Sequence, residues 1–385
     1  MMEKRIKYIA AFDLDENRNE NRLNTLSSTN KINYIITVLN ELGYGVDVIS
    51  TSQTLNKQCY GGKLINWGEN TLRLFPTTWR GGFFLKALNA IVLRFAICSY
   101  LYRKIKKNDV VVVYHSYGHL WIPRILKKKK AKLIEECEEI YGDIFGKPRL
   151  AERERKALKG CYAYIYPTHL LNDVVNKKGA PYLVIHGAYK DVGASFFDDE
   201  VCEEPSLANR SKYHIAYTGI LDPKKGCIDV VKAAEFLDDN YHIHILGFGG
   251  DDEIRILNEN IANIKDKTSC EVTYDGLRKG AAYSKYLSLL NLGVCTLNTE
   301  QGFIQTQFPS KIISYLAAGI PVLCSDVEAI KTSDVASAIT FYQGNGPKAI
   351  ADGIKSARDK GPVDSKQLLL DCHERFKKEI YELIK

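Results

Sequence analysis

Pro309, Ser310 and Lys311 open the segment FPSKIISYLAAGIPVL (308–323), and their order suits phosphate binding. Proline fits the first turn of a helix, Gly319 fits its C-terminal cap, and the first backbone N–H groups have no partners inside the helix. With the helix dipole they make a positive end, where amides, the Ser310 hydroxyl and the Lys311 ammonium gather around an anion. A capped surface helix with a solvated Lys311 fits the same residues. YTGILDPKKG (217–226) reads as a strand, a turn at Gly219 and a lysine pair before a second helix, which aims Lys224 or Lys225 at the same place. A lysine there offsets charge growing on a departing diphosphate. An exposed lysine pair in a turn is the plain alternative.

Other segments offer chemistry with less specificity. LGFGG (246–250), with Gly247, lacks the full G-x-G-x-x-G and reads as a tight strand-to-helix turn. Tyr274 and Asp275 end the strand VTYDG (272–276), where they border a base or ribose or simply pack. In KLIEECEEIY (132–141), strand alternation puts Glu136 and Glu138 on one face and Glu135, Cys137 and Glu139 on the other. Acids clustered at a strand's carboxyl end suit the orienting of hydroxyl groups, or are merely exposed there. His115 and His119 follow VVVVY in a similar position. Asp13 and Asp15 have the spacing of a phosphatase nucleophile pair, but Asn17 stands where that motif carries Thr or Val.

The elements that position these residues alternate along the chain. KYIAAFD (7–13), a helix over 30–45 and VDVIS (46–50) make a strand–helix–strand unit, and VVVVYHS (110–116), 132–140, 162–167 and 181–189 continue it. A second series starts at HIAYTG (214–219) and runs through strands at 242–250, 272–276, 292–297, 321–326 and 338–343 with helices between. Such alternation predicts parallel sheets with ligands at the carboxyl ends of the strands. We expect an α/β protein of two Rossmann-like, doubly wound domains facing across a cleft: 1–190, a polar linker at 191–212, and 213–363. The final helix over 364–385 either extends the second domain or crosses back onto the first.

The pieces acquire specificity from their order: Y-T-G…K-K-G, I-L-G-F-G, Y-D-G…Y…L, then F-P-S-K-I-x-x-Y-L-A-A-G-I-P-V-L. This order resembles the donor-binding half of GT-B glycosyltransferases, most closely the family 4-like (group 1) retaining enzymes, over about 213–330; over 1–190 the resemblance is architectural. It implies a transferase that moves a sugar from a UDP- or GDP-sugar to a hydroxyl of a glycan acceptor, probable lipid linkage and cell-surface polysaccharide synthesis included, with retention of configuration. By position it implies phosphate contacts from Lys225, Ser310 and Lys311, with Lys224, Gly219, Gly247, Pro309 and Ser314 also around the donor. Gly302, Phe303, Gln305 and Thr306 then lie near the sugar, Tyr274 and Asp275 near the base. Glu138 and Glu139 stand where such enzymes often have a His-Asp-like pair beside the transferred sugar, and join Lys225 as expected catalytic residues. No metal and no cofactor is implied. Two positions depart from the pattern: Ile220 replaces an Arg, and a pair of glutamates eight residues apart falls at Thr306 and Ser314, with Glu300 the nearest acid. Those departures also fit an inactive GT-B scaffold subunit, and the same scaffold serves nucleotide-sugar epimerases.

Composition limits the setting. Of 385 residues 45% are apolar and 26% charged, which excludes a disordered chain and a polytopic membrane protein. Ten cysteines, none in a CxxC pair, suggest reduced thiols, and the first residues lack the apolar core of an export signal, so a cytoplasmic protein is expected. The net charge of +7 hides a block at 80–132 holding 13 Lys or Arg against Asp109 alone. Within it, 81–109 is apolar nearly all round, interrupted by Lys86 and Arg94 and ending in Arg103, Lys104, Lys106 and Lys107. Such a segment is too broken to span a bilayer but can lie on the anionic inner face of a membrane, or serve as a core helix. Nucleic acid is not an expected partner, because the basic residues are not interleaved with aromatic ones.

Overall fold

The structure is a computed structural model that describes residues 4–78, 82–190, 204–207, 209–297 and 302–385, without the side chains at positions 18, 26, 224, 302 and 303. It divides into two compact units, residues 1–185 with 375–385, and residues 186–374.

The first unit carries β1 (Arg5–Ala10), α1 (Leu26–Glu41), β2 (Gly45–Ser50), β3 (Lys63–Trp67), β4 (Asn70–Leu74), α2 (Phe83–Lys104) and β5 (Val110–Tyr114). It continues with α3 (Trp121–Lys128), β6 (Lys132–Glu136), α4 (Tyr141–Ile144), α5 (Pro148–Leu158), β7 (Ala163–Tyr166), α6 (His169–Val175) and β8 (Tyr182–Val184). Its eight strands lie in the order β3-β4-β2-β1-β5-β6-β7-β8, parallel except for the β3–β4 hairpin at the edge. Parallel strands are covered on both faces, and β-branched runs such as Val110–Val113 supply the continuous apolar surface this requires. The acidic strand is shorter than its alternation suggested: β6 stops at Glu136, level with the ends of β5 at Tyr114 and β7 near Ile165, and Glu138 and Glu139 lie beyond it.

Helix α2 buries Asn89, Leu93, Ile97 and Leu101, one residue per turn, in the first unit's core. A single stripe suffices to seat a helix on a sheet. The opposite face is bare: Phe83, Phe84 and Phe95 are 81%, 86% and 77% exposed, with Leu88, Ile91 and Tyr102 beside them. Although α2 is long and apolar enough to cross a bilayer, its buried stripe ties it to the sheet.

The second unit contains β9 (Tyr213–Ile220), α7 (Cys227–Ala233), β10 (Tyr241–Phe248), α8 (Asp251–Lys265), β11 (Glu271–Gly276), α9 (Gly280–Ser288) and β12 (Leu292–Cys295). After these come α10 (Ser310–Ala317), β13 (Val322–Ser325), α11 (Glu328–Lys331), β14 (Ile339–Tyr342), α12 (Pro347–Lys360) and α13 (Ser365–Ile384). All six strands are parallel, in the order β11-β10-β9-β12-β13-β14. The order reverses at β9, so the crevice between the connections leaving β9 and β12 is the switch point where α/β sheets bind ligands. From Arg375 onward α13 counts with the first unit, where Phe376 lies 5.9 Å from Tyr34 and Lys377 pairs with Glu41 at 2.6 Å.

Candidate functional site

At the switch point of the second unit, Lys311 sits on the first turn of α10. Its Nζ is 4.1 Å from the centre of the Tyr217 ring, and a Cβ added at Gly219 would lie 3.3 Å from it. Tyr315, one turn later on the same face, fixes the helix in this place. Its ring fills the notch over Gly293, where a Cβ would come within 2.3 Å of the ring, and its hydroxyl accepts a 2.9 Å hydrogen bond from the Thr218 amide. Burial pulls the pKa of Lys311 below its ordinary value, and the charge of nearby Lys225 acts in the same direction, against the thiols of Cys295 and Cys324. Among the described residues no carboxylate pairs with Lys311 or Lys225. Two neighbouring ammonium groups with no described carboxylate between them can attract an anion.

The β9–α7 connection is clamped from below. The Thr296 hydroxyl donates to the Lys225 carbonyl at 2.9 Å, and a Cβ at Gly226 would come within 2.5 Å of that same hydroxyl. Lys225 itself is exposed at the top of the turn, and the side chain of Lys224 lies outside the described residues. Ser310 is the exposed first residue of α10, after Pro309 at the N-cap, and its carbonyl accepts a long 3.4 Å bond from the Ser314 hydroxyl. Gln305 and Thr306 end a 3-10 turn that begins at Gly302, where Gln305 Oε1 accepts from the Glu328 amide at 3.3 Å. Phe303 and Gly302 have only their backbone described, and Glu300 lies outside the described residues altogether.

The strand ends beside this crevice use glycine for close approach. Gly219 and Gly247 face each other in register with φ of +137° and +156°, and a Cβ at Gly247 would fall 1.8 Å from the Gly219 carbonyl oxygen. Tyr274 donates its hydroxyl to the Gly247 carbonyl at 3.1 Å and so braces this turn. Asp275 is engaged internally, 2.7 Å from His244 Nδ1 and also accepting from the Tyr286 hydroxyl. Ile220 is 43% exposed at the end of β9.

In the first unit a second polar cluster gathers around β6. The Tyr8 hydroxyl donates to Glu136, and Lys31 of α1 pairs with Glu138 and stands 3.9 Å from Glu136. Burial pushes the Glu136 carboxyl up to about 7, Lys31 opposing and Glu138 assisting the rise. Glu139 is half-buried, and its charge adds to burial in raising the Tyr141 phenol. On the other face of β6, His115 Nε2 lies 2.8 Å from Glu154 and its Nδ1 3.6 Å from Glu135, the second contact being Coulombic rather than a hydrogen bond. Although burial alone would lower it, these carboxylates hold the imidazole up to about 9. His119, half-buried without such partners, is pushed down to about 4 by desolvation.

Sequence reasoning placed Lys311, Lys225 and Gly219 at one crevice, and the structure brings them together. It missed the residues that hold them, Tyr217, Gly293, Thr296 and Tyr315. Tyr315 alone left a signal, four residues after Lys311 on the same helix face. Lys31 and Tyr8 beside the acids left none, because strand and helix partners are set by register rather than by spacing.

Residues 212–359 match the family described as "Glycosyl transferases group 1". No curated protein sequence matches the chain. Among solved structures, a trehalose-6-phosphate protein from E. coli bound with UDP-2-fluoro glucose aligns with TM-score 0.67 and 12% identity, covering 99% of each chain. The α,α-trehalose 6-phosphate synthase of Burkholderia multivorans aligns with TM-score 0.67 and 10% identity over 99% of this chain and 98% of its own. HepE from Anabaena, in complex with UDP, aligns with TM-score 0.60 and 10% identity over 98% of each. These likenesses cover both sheets and show the fold. The crevice that holds Lys311 and Lys225 lies inside the matched segment: residues 212–359 match the group 1 glycosyltransferase family, and the chain has the GT-B fold.

Proposed function

We propose that this enzyme transfers a sugar from a UDP-sugar to a hydroxyl of a lipid-linked glycan, with retention of configuration, in the building of a cell-surface polysaccharide. The observation that carries the donor is Lys311, held over Tyr217 at the switch point with Lys225 nearby and no described carboxylate to neutralise either. UDP is favoured over GDP because two structures of the same fold hold UDP or a UDP-sugar analogue. In this reading Ser310, the α10 amides, Lys311 and Lys225 take the diphosphate, Gly219 and Gly247 let it approach the backbone, and Gln305 and Thr306 border the sugar. The bond from the anomeric carbon to the phosphate oxygen breaks and its electron pair leaves with UDP. The acceptor oxygen bonds the same carbon, and its proton passes to the departing phosphate. The lysines stabilise the charge that grows on that phosphate. Glu138 and Glu139 orient hydroxyls on the acceptor side. The acceptor is assigned to a membrane because α2 presents bare phenylalanines next to the basic block, and the enzyme then works on the cytoplasmic face as a peripheral protein.

Thermal unfolding with UDP, GDP, ADP and CMP tests the donor. UDP at about a hundredfold above its Kd is expected to raise the midpoint by roughly 5–10 °C. Lys311→Met, which keeps the apolar stem over Tyr217, is expected to abolish that rise and to lower kcat/KM for the donor roughly 10²-fold. No stabilisation by any of the four nucleotides would remove the proposal.

A further inference from the structure

Three buried histidines lie side by side in the second unit, and the proposed transfer uses none of them. His242 and His244 alternate along β10 onto one face, and His214 of β9 is the register partner of His242. All three are at most 3% exposed. Each ring has one nitrogen engaged by a group outside the trio. His214 Nε2 lies 2.9 Å from the Asn209 carbonyl, His244 Nδ1 2.7 Å from the Asp275 carboxylate, and His242 Nε2 3.1 Å from the Thr273 hydroxyl. A carbonyl and a carboxylate only accept, so the hydrogens of His214 and His244 sit on those outer nitrogens. The nitrogens left over face each other, His214 Nδ1 standing 2.9 Å from His244 Nε2. With both rings neutral these carry lone pairs, and either a proton shared between them or a metal ion relieves the repulsion. His242 Nδ1 is buried with no hydrogen-bond partner, and Glu271 Oε2 is 3.3 Å from it.

Outer nitrogens tied to carbonyl, hydroxyl and carboxylate, with the inner nitrogens turned toward one another, are the arrangement that surrounds metal-bound histidines. The trio offers three ligand nitrogens within 4.8 Å of one another. Glu271 supplies an anionic oxygen, its other oxygen being held 2.7 Å from Lys212. We propose that His214, His242 and His244, with Glu271 as fourth ligand, bind one divalent metal ion of the zinc type. The ion is structural: it ties β9, β10 and β11 together and takes no part in sugar transfer. Three imidazoles and one carboxylate in four-coordinate array favour zinc over calcium or magnesium, which prefer six or more oxygens.

Titration of chelator-treated full-length protein with Co(II), read by visible absorption, tests this independently of nucleotide binding. One equivalent per chain is expected, with the intense visible bands of a four-coordinate nitrogen and oxygen site, no near-ultraviolet thiolate band, and displacement by Zn(II). His242→Gln is expected to weaken binding at least ~10-fold while leaving the far-ultraviolet circular dichroism unchanged. Absence of stoichiometric binding by the native protein, a spectrum with thiolate bands, or undiminished binding by His242→Gln would overturn the proposal. Should His242→Gln fail to fold, the native spectrum and Glu271→Gln, expected to lose affinity, decide the same question.

Discussion

An ammonium without a carboxylate beside it is costly to desolvate, and the half-buried Lys311 is kept in that state by Tyr315 one turn along its helix. In the donor reading proposed above, the arriving diphosphate would recover that penalty. A different balance holds at His115. Burial would discharge this ring, yet Glu135 and Glu154 hold its pKa at about 9 against an ordinary 6.5. Charged histidine is therefore favoured in the folded protein, and the stability it adds is present in full below pH 6.5 and lost as the pH rises through 9. Glu136 acts in the same sense at lower pH, because a carboxyl raised by burial from 4.5 to about 7 costs stability as the pH rises from 4.5 through 7. The denaturation midpoint is expected to fall between pH 6.5 and 9, and His115→Gln to flatten the fall; chemical unfolding at stepped pH measures both. The acids of this cluster were legible in KLIEECEEI, but their partners Tyr8, Lys31 and Glu154 come from distant strands and helices, and no spacing announces them.

Among the elements, the alternation of strands and helices was readable because parallel strands leave continuous apolar runs and their crossover helices end in glycine or lysine. The β3–β4 hairpin was not, since its edge strand alternates exposed and half-exposed residues and buries nothing to mark it. The acids beyond Glu136 looked like strand because alternation has no stop signal when a ladder simply runs out of neighbours. Glycine marks places where two elements touch. Gly247→Ala would drive a methyl group into the Gly219 carbonyl at a φ of +156°, and is expected to destabilise the second unit by about 3 kcal/mol. Urea unfolding reads the loss. Helix α2 carries the opposite kind of surface, apolar and uncovered. Phe83→Ser with Phe84→Ser is expected to lower binding to anionic vesicles at least ~10-fold. Cosedimentation with neutral and anionic vesicles, repeated at high salt, measures it, and equal binding by both proteins would detach α2 from the membrane.

For the whole chain, two compact units share one polypeptide, and the first of them is closed by residues 375–385 from the far end of the sequence. Phe376 against Tyr34 and Lys377 against Glu41 make that closure specific. Truncation after Glu374 is expected to lower the stability of the first unit by about 3 kcal/mol or more, through loss of a buried aromatic and its neighbours, while leaving the Co(II) and nucleotide responses of the second in place. Limited proteolysis of the truncated chain separates the two effects. From sequence the last helix had two equally good homes, because an amphipathic pattern names a face and not the partner it covers.

That return has a consequence for how the chain is made. A ribosome making about 5–20 residues per second reaches the last segment roughly 10–40 s after finishing residue 185. Through that interval the first unit has all its strands but not the tail that docks on it, while the second is still being made and is complete only at Glu374. The first unit to be started is thus the last to be completed.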